Sequence, residues 1–466
     1  MLFQSVLVVA LVISATNAII TNGAHCSDSD TIACAGTAFA QCAHNTWYVT
    51  PCAAGTVCQG NPCNFFQYRP AARTPGIIGY VANWDASEFE SFDLSGFTAI
   101  NYGFYNATID GSLLSDAVWA DNALFPLFQE ARRKYPNLRT VLSFGGWSGS
   151  QAFSAIAASA NATARFAKQV HAFLDKNEFD GVDIDWEFPY NNPWWYNGLQ
   201  CNTKDLANDL PNFTKFLAAL RKELGTTRII SIAGSSQVSA YFDQNGKNYV
   251  SQYAKYLSYI QVMTYDYYGA WSPYSDFESP LYSPAAKDNI TEPDVNGHAS
   301  VALSIQSYIA AGVPAQKLTN GLAFNGRSWS VTSVGENNGL YQLCSKPGQD
   351  ASNPSSCPAI NDDLWADPCG VDPPAYSSVW TYKDLRTQGP LPTPLNAGNG
   401  WTRKYFDFAE APSLFDGHRF ISYDDPQSIE AKSRWANVSG LGGSMIWALG
   451  EDYKGELIEA VYKGWK

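Results

Sequence analysis

The chain has 466 residues, of which 45% are apolar and 16% charged, with a formal net charge of −13. That balance excludes a disordered chain, which cannot bury enough apolar surface to offset the entropy of ordering. The acidity excludes nucleic acid as a partner, because phosphate binding needs a basic surface.

In chain order, residues 1–18 read as a secretory signal: a short apolar run, Val6 to Ile13, precedes the small residues Ser14-Ala15-Thr16-Asn17-Ala18. The run is too short to span a bilayer. No other stretch reaches that length, so a secreted, extracellular, soluble protein with no membrane partner is expected. Ten cysteines suit an oxidising compartment. The absence of a CxxC pair and the scatter of five histidines argue against a metal centre. Sequons at Asn106, Asn161, Asn212, Asn289 and Asn437 also fit secretion. Six of the cysteines (Cys26, Cys34, Cys42, Cys52, Cys58 and Cys63) fall within residues 25–64. A piece this small buries too little core to stand alone, so a disulfide-stapled module is expected there. Its fifteen possible pairings stay open. Residues 65–75 form a short linker without the Ser/Thr richness of a long tether.

From Ile77 onward strand and helix patterns alternate. Strands are expected over Ile78–Asn83, Ala99–Phe104, Arg139–Phe144, Gly181–Phe188, Arg228–Ala233, Tyr259–Tyr265, Leu318–Phe324 and Ser444–Leu449. Most are apolar runs between turn residues, as strands buried on both faces should be. Helical patterns lie over Ala120–Tyr135, Ala160–Lys176, Leu210–Leu224, Tyr249–Tyr256, Ala299–Ala311 and Pro426–Ala436. Eight such units predict an α/β fold, a (β/α)8 TIM barrel over 76–466. A doubly wound open sheet is disfavoured because no Gly-rich phosphate fingerprint follows the first strand. The stretch 327–419 breaks the rhythm and is too long for a loop. It reads as a small α+β insertion domain after the seventh strand.

The fourth strand carries the chemistry. Residues 179–190 read Phe-Asp-Gly-Val-Asp-Ile-Asp-Trp-Glu-Phe-Pro-Tyr, with Asp183, Asp185 and Glu187 at alternate positions. Side chains two apart on a strand share a face. Three acids in one row, with Asp180 just before them, cannot all ionise, so at least one pKa should rise. Such rows persist where protons are moved. An EF-hand calcium loop is a rival reading of the acids, but its sixth position counted from Asp180 would be Asp185, where glycine is required. Three other strand ends are also unusual for a buried barrel: Ser143-Phe-Gly145-Gly146, Met263-Thr-Tyr265-Asp266, and Trp447 within the eighth strand.

Asp180-Gly-Val-Asp183-Ile-Asp185-Trp-Glu187 resembles the DGxDxDxE signature of family 18 glycoside hydrolases, the chitinases. The Ser143-x-Gly145-Gly146 and Met263-x-Tyr265-Asp266 motifs match two further patterns of that family, in the expected order. Tyr80 on the first strand, Gly326-Arg327 after the seventh, Tyr423-Asp424-Asp425-Pro426, and Gly442-Gly443-x-Met445-x-Trp447 also fit. The chain departs from the pattern at Phe188 and Asn325, where tyrosine is commoner, and in its fifth strand. The N-terminal module, with Trp47 and Tyr48 as stacking candidates, resembles the small fungal chitin-binding modules. A disulfide-stapled cap on the barrel is the plainer alternative for it.

The resemblance implies a chitinase that hydrolyses β-1,4 bonds between N-acetylglucosamine units with retention, the sugar's own acetamide acting as nucleophile. Glu187 would be general acid and then base. Asp185 would bind the acetamido N–H, Asp183 would share its proton, and Tyr265 and Asp266 would position the acetamide. Trp447 would form the floor under the sugar. Tyr80, Trp147, Met263, Tyr267 and Arg327 would complete the binding surface, with Asp180, Ser143, Gly145 and Gly146 supporting it. The remaining aromatic candidates for a sugar-stacking groove are Trp84, Tyr190, Trp194, Trp195, Tyr268, Trp271 and Trp329. Chitin and chitooligosaccharides are the expected partners of a monomer that needs no cofactor or metal. Two other readings are a non-catalytic chitin-binding lectin on the same barrel, which would typically lack the acid, and a hydrolase of the core N-acetylglucosamine pair of N-glycans.

Overall fold

The computed structural model describes residues 22–27, 32–35, 38–51, 56–59, 61–65, 76–189, 205–269, 271–283, 299–332, 334–335, 337–343, 364–365, 375–376 and 378–466. The expected signal at 1–18, the linker core at 66–75, and Tyr190, Trp194 and Trp195 lie outside them. Contacts divide the chain into two units, Met1–Gln67 and Tyr68–Lys466.

In the first unit, Ile32–Ala35, Ala38–Ala43 and Thr46–Pro51 form an antiparallel sheet in sequence order. Thr56–Gln59 pairs with Asn61–Phe65. His44 and Asn45 both take positive φ, 49° and 63°. This is the left-handed two-residue turn whose twist suits a tight hairpin. Cys26 is bonded to Cys42 with a Cα–Cα distance of 5.9 Å, within the normal range for a disulfide. Trp47 and Tyr48 are neighbours on one strand and so point to opposite faces. Tyr48 is exposed and Trp47 half-buried.

The second unit is built on eight parallel strands: β1 Gly76–Ala82, β2 Ala99–Ala107, β3 Arg139–Gly145, β4 Gly181–Asp185, β5 Ile229–Gly234, β6 Tyr259–Val262, β7 Leu318–Ala323 and β8 Gly443–Trp447. Each pairs with the next in sequence, and β8 pairs with β1 to close the ring. Helices pack outside. In α1, Val118–Lys134, the buried Ala120, Leu124, Phe128 and Ala131 recur at helical spacing. In α2, Ala160–Asn177, Ala162, Phe166, Val170 and Leu174 do the same, and the Ser159 side chain caps the Ala162 N–H. Phe166 is fully buried, so truncating it to alanine would cost about 3–5 kcal/mol.

β4 and β6 each stop three residues short of their expected ends. β4 ends at Asp185, where the ladder gives way to a turn amide and a side chain: the Asp185 carbonyl accepts from Gly146 N–H at 2.9 Å and Ser150 Oγ at 3.0 Å. Trp186 then packs on Phe153 and Phe213, with ring centroids at 5.7 and 5.2 Å. β6 ends at Val262, and Asp266 takes a left-handed φ of 55°. The last helix, Glu456–Gly464, has no counterpart among the predicted helices. Between β7 and β8 lies a five-stranded antiparallel sheet, in the order Val379–Thr381, Asn325–Ser330, Arg419–Ser422, Ala411–Phe415, Thr402–Phe406. Its own core holds Phe277, Trp329, Leu340, Phe406, Phe415 and Phe420. Trp329 is fully buried there beside Phe420, so it is a core residue and lines no groove.

Candidate active site

Every candidate strand end lies at the C-terminal rim of the barrel, where (β/α)8 enzymes keep their chemistry. Asp183 is fully buried and accepts four hydrogen bonds. Tyr80 Oη and Ser143 Oγ donate to Oδ2 at 2.8 and 2.7 Å, and Ser231 Oγ and Gln261 Nε2 donate to Oδ1 at 2.6 and 2.8 Å. Asn101 Nδ2 in turn donates to Gln261 Oε1 at 3.0 Å. Burial raises the Asp183 carboxyl above its ordinary range even against these donors.

Asp185 has no such support. Its Oδ1 is buried without a hydrogen-bond partner, and burial, then the Glu187 and Asp183 charges, push its pKa well up. Glu187, just past the strand end and half-buried, is pushed up to about 8 by desolvation and then by Asp266. Its N–H donates to Ser150 Oγ at 3.1 Å. Desolvation thus favours the protonated form of this carboxyl.

The glycines beside it are needed for close approach. Gly145 and Gly146 have φ of 105° and 76°, and a Cβ on Gly145 would sit 2.2 Å from the Asp185 carbonyl oxygen. Trp147 follows them half-buried. Tyr265 is buried, with its hydroxyl 3.9 Å from Met445 Sδ and its pKa raised by burial and by Asp185. Met263 is partly buried against the same cluster. Arg327 Nε donates to Asp266 Oδ1 at 2.7 Å, and its guanidinium lies 5.2 Å from the Trp271 ring. Trp447 is half-buried, stacked on Phe104 at 5.6 Å, with Tyr80 at 5.6 Å and Trp84 at 6.1 Å. Trp84 itself is 59% exposed.

Two of the expected site residues are placed elsewhere. Tyr267 is buried with Leu281 and Val301, and its hydroxyl lies 2.7 Å from Ser304 Oγ. It packs toward the helix Val301–Ala310 and does not join the carboxylate row. Asp180 sits at the opposite, N-terminal end of β4. Both its oxygens accept from Arg132, at 3.0 Å each, and Oδ2 also accepts from Thr140 N–H at 3.1 Å.

The sequence reading missed Ser231, Gln261 and Asn101, which complete the cradle around Asp183. Each is a lone polar residue inside an apolar strand run, and that interruption was the available signal. It also missed Glu278, buried near Asp266 and Arg327 and pushed well up in pKa by desolvation. Among the described residues, no three His, Cys, Asp or Glu side chains gather in a metal-holding group. No helix among them is long and apolar enough to cross a membrane.

The profile of the glycosyl hydrolases family 18 matches residues 76–452. The chain belongs to that family. Within it, the chain is 35% identical to chitinase A1 of Niallia circulans over 327 residues, covering 68% of this chain and 41% of that protein. It is 30% identical over 402 residues to a chitinase-like effector of Moniliophthora perniciosa, covering 83% of this chain and 86% of the effector. A crystal structure of a chitinase from Rhizomucor miehei superposes with a TM-score of 0.69 at 27% identity, covering 84% of this chain and all of that one. The chain thus spans well under half of the bacterial relative's length. As a family 18 member it carries the signature acids in one row along β4 and its end: Asp183 in its four-donor cradle, Asp185 with an unmatched oxygen, and Glu187 with its pKa raised by burial.

Proposed function

We propose that this family 18 chain is a secreted chitinase that cleaves β-1,4 bonds between N-acetylglucosamine units, with Glu187 as its general acid and base. The observation that carries the reading is Glu187, its pKa raised to about 8 by burial, next in the alternating row to the unmatched Asp185 Oδ1. A lone proton donor suits a reaction in which the substrate brings the nucleophile. The sugar lies on Trp447 with its acetamide toward the row. Its N–H donates to Asp185 Oδ1, which gives that buried oxygen the partner it lacks. Glu187 passes its proton to the glycosidic oxygen as the bond to the anomeric carbon breaks. The acetamide carbonyl oxygen closes on that carbon from the other face, forming an oxazolinium ring. Asp185 stabilises the positive charge that develops on the ring nitrogen. The leaving sugar departs as an alcohol. Glu187, now a carboxylate, takes a proton from water, and the water oxygen opens the ring with net retention.

Tyr265 and Asp266 hold the acetamide, and the Asp266–Arg327 pair fixes that wall of the site. The domain organisation proposed with this reading is a signal over 1–18, a chitin-binding module over 25–64, and a catalytic barrel over 76–466 with its 327–419 insertion. In the module only one of Trp47 and Tyr48 can serve a given flat face, and Tyr48 is the exposed one. A binding-only protein is the second reading, and the intact Glu187 counts against it.

One set of assays separates the readings. Wild-type protein should release products from chitotetraose and leave cellotetraose, which lacks the acetamide, untouched. Glu187→Gln should lower kcat by about 10³-fold while still binding chitotetraose, since a positioned general acid is worth 10²–10⁴. Equal cleavage of the glucose polymer would defeat the substrate-assisted route. Unchanged turnover in the variant would defeat the role of Glu187. Binding without turnover by the wild type would leave the lectin reading, and release of glycans from a high-mannose glycoprotein in preference to chitotetraose would leave the N-glycan hydrolase.

A further inference from the structure

Glu451 lies outside every motif considered so far. It ends a short 3-10 turn, Leu449–Glu451, immediately beyond β8. In the closed ring β8 is four strands from β4 in either direction, so Glu451 stands across the mouth from Asp185 and Glu187. Its Oε2 accepts from Ala448 N–H at 3.0 Å and from Asn325 Nδ2 at 3.1 Å. The Ala448 N–H belongs to the peptide joined to Trp447, so this oxygen fixes the backbone under the aromatic platform. The Glu451 N–H closes the same turn on the Ala448 carbonyl at 3.1 Å. Among the described residues, no donor reaches Oε1, although the side chain is half-buried. The carboxylate acts on the mouth: its charge raises the pKa of Tyr265, and it is itself influenced by Arg327 and Asp85.

We infer that Glu451 is a substrate-positioning residue: Oε2 braces the Trp447 platform, and Oε1 accepts a hydroxyl of the sugar lying on or next to that platform. The inference rests on the chitooligosaccharide reading above. A sugar ring laid on an indole presents its hydroxyls at the rim, where an acceptor at the platform's edge meets them. A charge-assisted hydrogen bond in a half-buried site is stronger than one in open water. Burial, opposed by the two donors to Oε2, pushes Glu451 up to about 7.

The alternative is a brace and nothing more, and a pair of variants tells them apart. In Glu451→Gln the amide oxygen can still accept from Ala448 and Asn325, but an NH2 group replaces the free acceptor. In Glu451→Ala both functions are lost. With chitotetraose, the glutamine variant should raise KM about fivefold and the alanine variant about tenfold or more, as loss of one strong hydrogen bond implies, with kcat within about threefold of wild type. In a Glu187→Gln background, calorimetric Kd values for chitotetraose should weaken by the same factors. An unchanged KM in Glu451→Gln overturns the inference, including when Glu451→Ala does not fold or loses only kcat. Wild-type protein that neither binds nor cleaves chitotetraose overturns the functional reading and this inference together. Normal wild-type cleavage with indifferent Glu451 variants overturns this inference alone.

Discussion

The two ends of β4 carry carboxylates of the same kind in opposite circumstances. At the N-terminal end Asp180 is met by a bidentate Arg132 and a backbone N–H. At the C-terminal end Asp185 has a buried oxygen with no partner, and Glu187 has no cation within its hydrogen-bonding shell among the described residues. Five residues of chain separate a charge stabilised for the fold from charges left unstable for chemistry. The lesson is that burial alone does not identify a functional acid. What marks it is burial without compensation, because an uncompensated carboxyl is held protonated and can give that proton away.

This contrast can be broken by experiment. Asp180→Ala leaves the Arg132 guanidinium buried without its partner and should cost about 3–5 kcal/mol of stability. The fraction that folds should keep the wild-type KM, measured by urea unfolding alongside kinetics. A variant that is as stable as wild type but inactive would place Asp180 in the site after all. Asp185→Asn should do the reverse. It removes an acid whose charged form is disfavoured by burial, so the thermal midpoint should not fall. Turnover should drop by about 10²-fold through loss of charge stabilisation. A large loss of stability here would erase the difference between the two ends.

The smallest effect concerns pH. Glu187 has its pKa raised from the ordinary glutamate range to about 8, so its acid form persists below that value and is lost above it. Activity should therefore decline as pH rises through about 8. The same sign holds for stability: a raised carboxyl favours the fold at low pH, and this contribution fades as pH climbs through the folded value. Asp266 is the second cause of the shift. Asp266→Asn should move the alkaline limb of the kcat profile to lower pH, and a limb that stays in place would show that burial alone sets it.

Much of this was legible in the chain before folding. Buried parallel strands are apolar on both faces, so their spans stood out as runs, and the alternation of Asp183, Asp185 and Glu187 with Val182, Ile184 and Trp186 announced a one-sided row. Strand length was less legible, because β4 and β6 end where side chains and a left-handed residue take over from ladder hydrogen bonds. Tyr267 looked like its neighbours Tyr265 and Asp266, yet the chain's turn after β6 sends it to Ser304.

By itself the sequence determined which local segments are strand and helix, and which residue types stand at the strand ends, since both depend on periodicities of two and 3.6 residues. Only the closed barrel decided which of those residues meet. Tyr80 and Gln261 are 181 positions apart and lie 3.0 Å from each other beside Asp183, and Glu451 faces Asn325 across 126 positions. Such meetings depend on ring closure and on strand register, which bring distant segments into one layer. Nothing in local periodicity encodes them.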